Sequence, residues 1–348
     1  MEIDFLIIGQ GLAGSALGYR LIQQGKKVVL LDQPSKNQSS QVAAGLFNPV
    51  TGRKMVKTWK GEVLFPEIAP FYQELEEVTG RKFLTLQPIY RPFLSIEEQN
   101  EWMGHSSDPE IQPFLKKIEV ESQQHRLKDP FGGVMLQESG WLDVPTLLEG
   151  MASFFGERLR QEEFKEEELI EEGDYWSYAG WKVQAIVYCN GLGALRSRFF
   201  SFLPFAPVKG EILEVKQDFN PSYIVNRGVF RVPLSNGNFR VGSTYSWHDL
   251  EEGPTETAQK DLLNKLMEVV PVPVEEVVAH RVGIRPATKD RKPFLGKHPL
   301  QKNVYIFNGF GAKGVSLVPY FSACMQDFLL EDRPLPAEVS ISRYFTYI

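Results

Sequence analysis

The sequence predicts an α/β chain of two domains. A parallel βαβ domain is assembled from separated pieces, and an α+β domain with a mixed or antiparallel sheet is inserted between them. Three observations predict this. Fully apolar runs of strand length stand at the start ("DFLIIG"), the middle ("VQAIVYC") and the end ("NVYIF"), and a run without polar alternation is a strand buried on both faces. The first of them and "KKVVLLD" flank the amphipathic stretch "AGSALGYRLIQQG", which is the order of a βαβ unit. Between the apolar runs lie "PVKGEILEVK", which alternates, and "GVFRVPLSNGNFRVGSTY", a hairpin with Asn236-Gly237 at its turn.

A chain of 348 residues is long enough for two cores. The expected division gives 1–60, 140–204 and 276–348 to the first domain, and 61–139 and 205–275 to the second. The first helix ends at Gly25 and the second strand at Asp32. The following segment, "QPSKNQSSQVAAGLFNPVTGRK", has no period, and a long irregular segment inside a compact domain usually serves function. Two amphipathic helices are expected around "LFPEIAPFYQELEEVTG" and "SIEEQNEWMG". Another is expected after Asp143, its N-cap, with Pro145 just inside. The acidic block "EEFKEEELIEEGDYW" reads as a solvated face. "TAQKDLLNKLMEVV" reads as a helix and "EEVVAHRVGIRPAT" as a strand running into a loop. The last helix is expected from about Val315 to Leu330, with Pro319 in its first turn.

Composition narrows the function. The net charge of -6 and a pI near 5.6 count against a nucleic-acid partner. Cys189 and Cys324 sit in apolar runs and read as buried, reduced thiols, and the five histidines form no metal-ligand spacing. The acidic start "MEID" is unlike a signal peptide, and no run reaches the length of a membrane span. A cytoplasmic protein is expected.

Gly9, Gly11 and Gly14 have the G-x-G-x-x-G spacing. The spacing alone is weak. Here it follows a strand, opens a helix, and is followed eighteen residues after Gly14 by Asp32 at the end of the next strand. Together these features describe a Rossmann-like dinucleotide site: tight turn, backbone close to pyrophosphate, positive helix end on the anion, and acid on the ribose. Gly309, Gly311 and Gly314 repeat the spacing, and Asp332 repeats the acid. However, "EDRPLPAEV" cannot be a central strand because of its prolines. The second set therefore reads as a loop feeding a helix N-terminus. Such an end, with Lys313 beside it, would stabilise negative charge.

These residues resemble the FAD-dependent D-amino-acid oxidase-like oxidoreductases, nearest the glycine oxidase and sarcosine oxidase branch. "DFLIIGQGLAGSALGYRLIQQGKKVVLLDQ" is similar to the family's FAD-binding start, and "SSQVAAGLFNPV" to the segment beneath the flavin. "GIRPATKDRKPFLGKHP" is close to the glycine oxidase pattern, and "NGFGAKGVSLVP" falls where the family places its flavin-ring loop. The resemblance implies that Gly9, Gly11, Leu12, Ala13 and Gly14 hold the pyrophosphate and that Asp32 and Gln33 serve the adenosine end. Ser40, Ala44, Gly45, Leu46 and Gly191 would belong to the cofactor site. Gly311, Ala312, Lys313, Gly314, Val315 and Ser316 would surround the pyrimidine edge. Arg285 matches the arginine that takes the substrate carboxylate in a two-pronged pair, a role suited to a guanidinium fork. The alternative for Arg285 is a structural ion pair with Asp290 or another acid.

Phe230 stands where related oxidases often have tyrosine, with Arg231 and Tyr245 as further substrate contacts and Arg53 as a possible second anion contact. Cys324 is not at the covalent-attachment position, so non-covalent FAD is expected. The implied reaction is oxidation of a C–N bond in a small amine or amino acid by hydride transfer to flavin N5. Imine hydrolysis follows, and electrons pass to oxygen or another acceptor. No catalytic base is assigned. Two alternatives remain open: oxidation of a carboxymethylaminomethyl group on tRNA wobble uridine, and a flavin-binding protein without turnover.

Overall fold

The computed structural model describes residues 1–33, 39–51, 56–122, 125–250 and 253–347. Its first sheet has a parallel core in the order 159–160, 28–31, 2–8, 181–188 and 304–308. Phe294–Lys297 adds antiparallel to the last of these, and two short strands, Tyr175–Tyr178 and Ile170–Glu172, add beside Trp181–Tyr188. Alternation explains why the apolar runs lack polar residues. Phe5 and Ile7 face one core with Leu30 and Val187, while Leu6 and Ile8 face another with Ile186, Phe199 and Phe200. Both faces are covered, so both must be apolar.

The helices, in order, are α1 (Leu12–Gln23), α2 (Ser39–Val42), α3 (Gly61–Thr79), α4 (Ile96–His105), α5 (Val144–Phe155), α6 (Glu256–Val269) and α7 (Gly314–Glu331). α1 packs on α7, where Arg20 donates to Ser322 Oγ at 2.8 Å and to the Pro319 carbonyl at 3.1 Å. Among the described residues no helix is long and apolar enough to cross a membrane. Cys189 is buried, Cys324 is half-buried, and both are free thiols.

The second sheet has eight strands in the order 274–285, 208–217, 239–242, 229–233, 224–227, 89–92, 133–136 and 115–119. It is antiparallel except where Ile224–Arg227 runs parallel to Ile89–Pro92. It is thus the mixed sheet expected, but its membership differs at one boundary. Val274–Arg285 pairs with Val208–Gln217 along its whole length, so the chain returns to the first sheet after Arg285 and not at 276. An apolar pattern reports burial but not the pairing partner. A three-stranded sheet of Leu46–Phe47, Gly140–Leu142 and Leu84–Leu86 lies apart from both.

The acidic block is the solvated face expected, its acids exposed apart from Glu166, which is a fixed acceptor for Tyr188 Oη and Ser197 Oγ, both at 2.6 Å, and for the Arg198 N–H at 2.7 Å. One local expectation is corrected. Pro319 lies beyond the first turn of α7, which starts at Gly314. Proline has no N–H to give the carbonyl four residues back, and the buried Tyr72 hydroxyl donates to that Val315 carbonyl at 2.9 Å. Tyr72→Phe should orphan it and cost about 1–3 kcal/mol, read as a lower denaturation midpoint. Unchanged stability would show that the carbonyl needs no partner.

Candidate active site

The first glycine turn cannot carry side chains. Gly9 has φ +100, and a Cβ there would lie 2.7 Å from the Cys189 carbonyl oxygen; one at Gly14 would lie 1.8 Å from the Gly9 carbonyl oxygen. The turn therefore brings the strand Glu2–Ile8, α1 and residue 189 closer than any other residue would allow. α1 starts at the Gly11 N-cap with no side-chain cap and no acid in its first turn, leaving its positive end available. Leu12 and Ala13 are buried behind it. Ser40 Oγ stands over this end, 3.4 Å from the Leu12 N–H. Asp32 follows the strand Val28–Leu31 and accepts the Gln10 N–H at 2.9 Å, while Gln33 beside it is exposed. Gly191, with φ +55, accepts from Asn308 Nδ2 at 2.9 Å, and Asn190 Oδ1 next to it is buried without a partner.

Residues 42–46 of the irregular segment form a strip between the second sheet and the three-stranded sheet. Gly45 has φ +74, and a Cβ there would lie 1.9 Å from the Leu142 carbonyl oxygen. Its own carbonyl accepts the Leu142 N–H at 3.1 Å, and Leu46 pairs with Trp141. The N–H groups of Ala44 and Gly45 have no acceptor among the described residues. Val42 lies against Gly283 of the second sheet.

The second glycine loop closes the same space. Gly309 (φ +79) and Gly311 (φ +54) lie against Thr288 and Ala287, and the Gly311 N–H bonds to the Pro286 carbonyl. α7 then begins with no side-chain cap and no acid in its first turn. The Ser316 hydroxyl turns back to the Lys313 carbonyl at 3.1 Å. Ala312 and Lys313 are exposed, Val315 is buried, and the Leu12 side chain of α1 lies 3.5 Å from where a Gly314 Cβ would be. Two helix ends without a capping N-cap side chain are thereby neighbours, with Ser40 accepting one N–H of α1. The protein atoms crowded around the Lys313 ammonium, and then Arg291, lower its pKa although part of the side chain stays exposed. After α7, Asp332 is a left-handed C-cap and no strand follows among the described residues, as the prolines require.

Arg285 ends its strand on the face turned toward this strip. Register puts Arg285, Gly283, Gly210, Gly242 and Phe230 on one face, and Leu213, Val241 and Arg231 on the other. The guanidinium lies against Gly210, with Nη2 2.1 Å from where a Cβ would stand, so any side chain there would expel it. Nη2 donates to Ser243 Oγ at 2.8 Å, Nη1 to the Thr244 carbonyl at 3.4 Å, and the Tyr245 ring lies 4.6 Å away. Burial lowers its pKa. Asp290 is not its partner, because Arg343 Nε holds that carboxylate at 3.0 Å. No acid lies within ion-pair distance of Arg285 among the described residues.

Of the other proposed substrate contacts, Phe230 is half-buried on the face of Arg285, and Tyr245 is exposed beside it. Arg231 is not in the site. It is buried on the opposite face, against Phe239 and bonded to Gln217 Oε1 at 2.7 Å. Neighbours on a strand point to opposite faces, so Phe230 and Arg231 could never both reach one ligand. Arg53 lies outside the described residues. A cavity of about 560 Å³, lined by Trp176, Phe199 and His298 among others, sits on the far face of the first sheet. His298 Nδ1 there already accepts the Leu300 and Gln301 N–H groups.

The family profile DAO, FAD dependent oxidoreductase, matches residues 4–327. The chain belongs to this family. A glycine oxidase of Pseudomonas aeruginosa is 22% identical over 371 residues, covering 96% of this chain and 97% of that protein. The crystal structure of glycine oxidase from Geobacillus kaustophilus superposes with a TM-score of 0.79 at 21% identity, covering 97% of this chain and 96% of that one. The tRNA 5-methylaminomethyl-2-thiouridine biosynthesis bifunctional protein MnmC of Leptospira borgpetersenii is 23% identical over 96% of this chain but only 58% of its own length.

The site of this FAD-dependent oxidoreductase fits its cofactor on several independent features. They are the glycine cradle, the two helix ends without a capping N-cap side chain, the orphaned Asn190 Oδ1 and the unpaired Ala44 and Gly45 N–H groups. Sequence reasoning missed Asn190, Ser243, Thr244 and Gly210. A signal existed for Gly210 alone, since a glycine inside the strand "PVKGEILEV" marks a close approach.

Proposed function

We propose that this FAD-dependent oxidoreductase oxidises the C–N bond of a small amine or amino acid carrying a carboxylate. The observation that supports the reading best is Arg285, a half-exposed guanidinium on the flavin-facing side of the substrate sheet with no acid of its own. Ser243, the Thr244 carbonyl and Gly210 fix its plane, and a carboxylate would take the remaining donors as a charge-assisted fork. Gly9, Gly11, Leu12, Ala13, Gly14 and Ser40 would hold the pyrophosphate, and Asp32 and Gln33 the adenosine end. Ala44, Gly45, Leu46, Gly191 and residues 311–316 would hold the flavin. Bound FAD supplies a two-electron acceptor for the carbon next to nitrogen. The chain's part is to orient that carbon and to exclude competing poses. The α7 N-terminus and Lys313 would stabilise the negative charge that oxidation of substrate leaves on the ring.

FAD is held non-covalently on this reading, because Cys324 lies within α7 and is half-buried. Electrons go on to oxygen or another acceptor. The free thiols suit a cytoplasmic setting. The test is anaerobic addition of amines and amino acids to the yellow holoprotein. Loss of the visible flavin band is expected with at least one carboxylate-bearing amine. A colourless protein that cannot be reconstituted with FAD would end the reading.

The likeness to the tRNA biosynthesis protein supports one rival substrate, a carboxymethylaminomethyl nucleoside, which Arg285 would also suit. Salt-sensitive tRNA binding would favour that rival; absence of binding would remove it.

A further inference from the structure

The strip beneath the flavin site is held from the substrate sheet by a side chain that the reading above leaves without a role. Arg240, on Phe239–Gly242, is 7% exposed. Its Nη1 donates to the Ala43 carbonyl at 3.0 Å and to the Ala44 carbonyl at 3.4 Å. Asp143 and Glu214 act on its charge through space, and Arg281 with the opposite sign, but its hydrogen bonds go to these two carbonyls. Burying a guanidinium is costly unless its charge is paired or its N–H groups are hydrogen-bonded.

A trans peptide points its N–H opposite to its C=O. With the Ala43 and Ala44 carbonyls drawn to one guanidinium, the N–H groups of Ala44 and Gly45 turn the other way. Gly45 at φ +74 is left-handed, the conformation that lets successive N–H groups converge into an anion-binding nest. Neither N–H has an acceptor among the described residues.

We propose that Arg240 is a positioning residue for the flavin: it orients and polarises the Ala44 and Gly45 N–H donors, and so favours the more negatively charged reduced cofactor. The proposal rests on the FAD reading, which the wild-type protein tests by itself: failure of that protein to bind FAD sinks the reading. Unchanged variants in a protein that does bind FAD sink only the role of Arg240.

The experiment is equilibrium reduction of the holoproteins against reference dyes. Arg240→Gln keeps a donor and loses the charge. It should lower the reduced-to-oxidised ratio about tenfold, which is about 30 mV for a two-electron couple, and alter the visible flavin band. Arg240→Lys keeps the charge and should stay within about threefold of wild type. Asp143→Asn leaves Arg240 in place and removes an acid that acts on its charge through space, so the ratio should rise. A wild-type ratio in Arg240→Gln overturns the proposal even if the variant melts earlier. Should that variant fail to hold FAD, an unchanged ratio in Asp143→Asn overturns it instead.

Discussion

Arg285→Ala should lose carboxylate substrates while keeping its flavin. Two charge-assisted hydrogen bonds, at about 1.5–3 kcal/mol each, correspond to a fall of roughly 10²–10⁴ in kcat/KM. The FAD content should not change, because Arg285 bonds to Ser243 and the Thr244 carbonyl and to nothing in the glycine cradle. Arg285→Lys should recover part of the loss, since it restores the charge without the planar fork. Amines lacking a carboxylate should react equally slowly with wild type and variant. Steady-state kinetics on matched substrates would check this, and unchanged kinetics would remove Arg285 from the site.

Gly14→Ala should yield a colourless protein. Its Cβ would sit 1.8 Å from the Gly9 carbonyl oxygen, an overlap relieved only if α1 withdraws from the turn that receives the pyrophosphate. Overpacking of this kind costs about 1–3 kcal/mol or more, and the displacement falls on the cofactor's phosphates. Gly25→Ala is the control. Gly25 also has a positive φ, +71, but nothing lies within 4 Å of its would-be Cβ. It should lose about 1–2 kcal/mol of stability and keep its FAD. Flavin stoichiometry after purification separates the two, and a Gly14→Ala protein with a full complement of FAD would contradict the close-approach argument.

The parts of the site that sequence reading reached are those with local signatures. The turn at Gly9–Gly14 and Asp32 at the next strand end are within one βαβ unit, where spacing carries the geometry. The second glycine set was separable from the first because prolines after α7 forbid a strand, and the described residues hold none there. Position on a strand was legible, but facing was not. Alternation says that Phe230 and Arg231 oppose each other, yet only the pairing of Phe230 with Gly242 shows which one faces Arg285. Pairings across the chain left no trace. Tyr72 caps a carbonyl 243 residues away, and Arg240 one 197 residues away. No local pattern predicts such contacts, because the fold and not the segment brings them together.

Anaerobic reduction by a matched pair, an amino acid and its decarboxylated amine, tests the central claim most directly. The account predicts that the amino acid bleaches the flavin of the holoprotein and that the amine does so at least about 100-fold more slowly, the loss of the Arg285 fork. Equal rates for the two, or no bleaching across the whole panel of carboxylate-bearing amines, would contradict it.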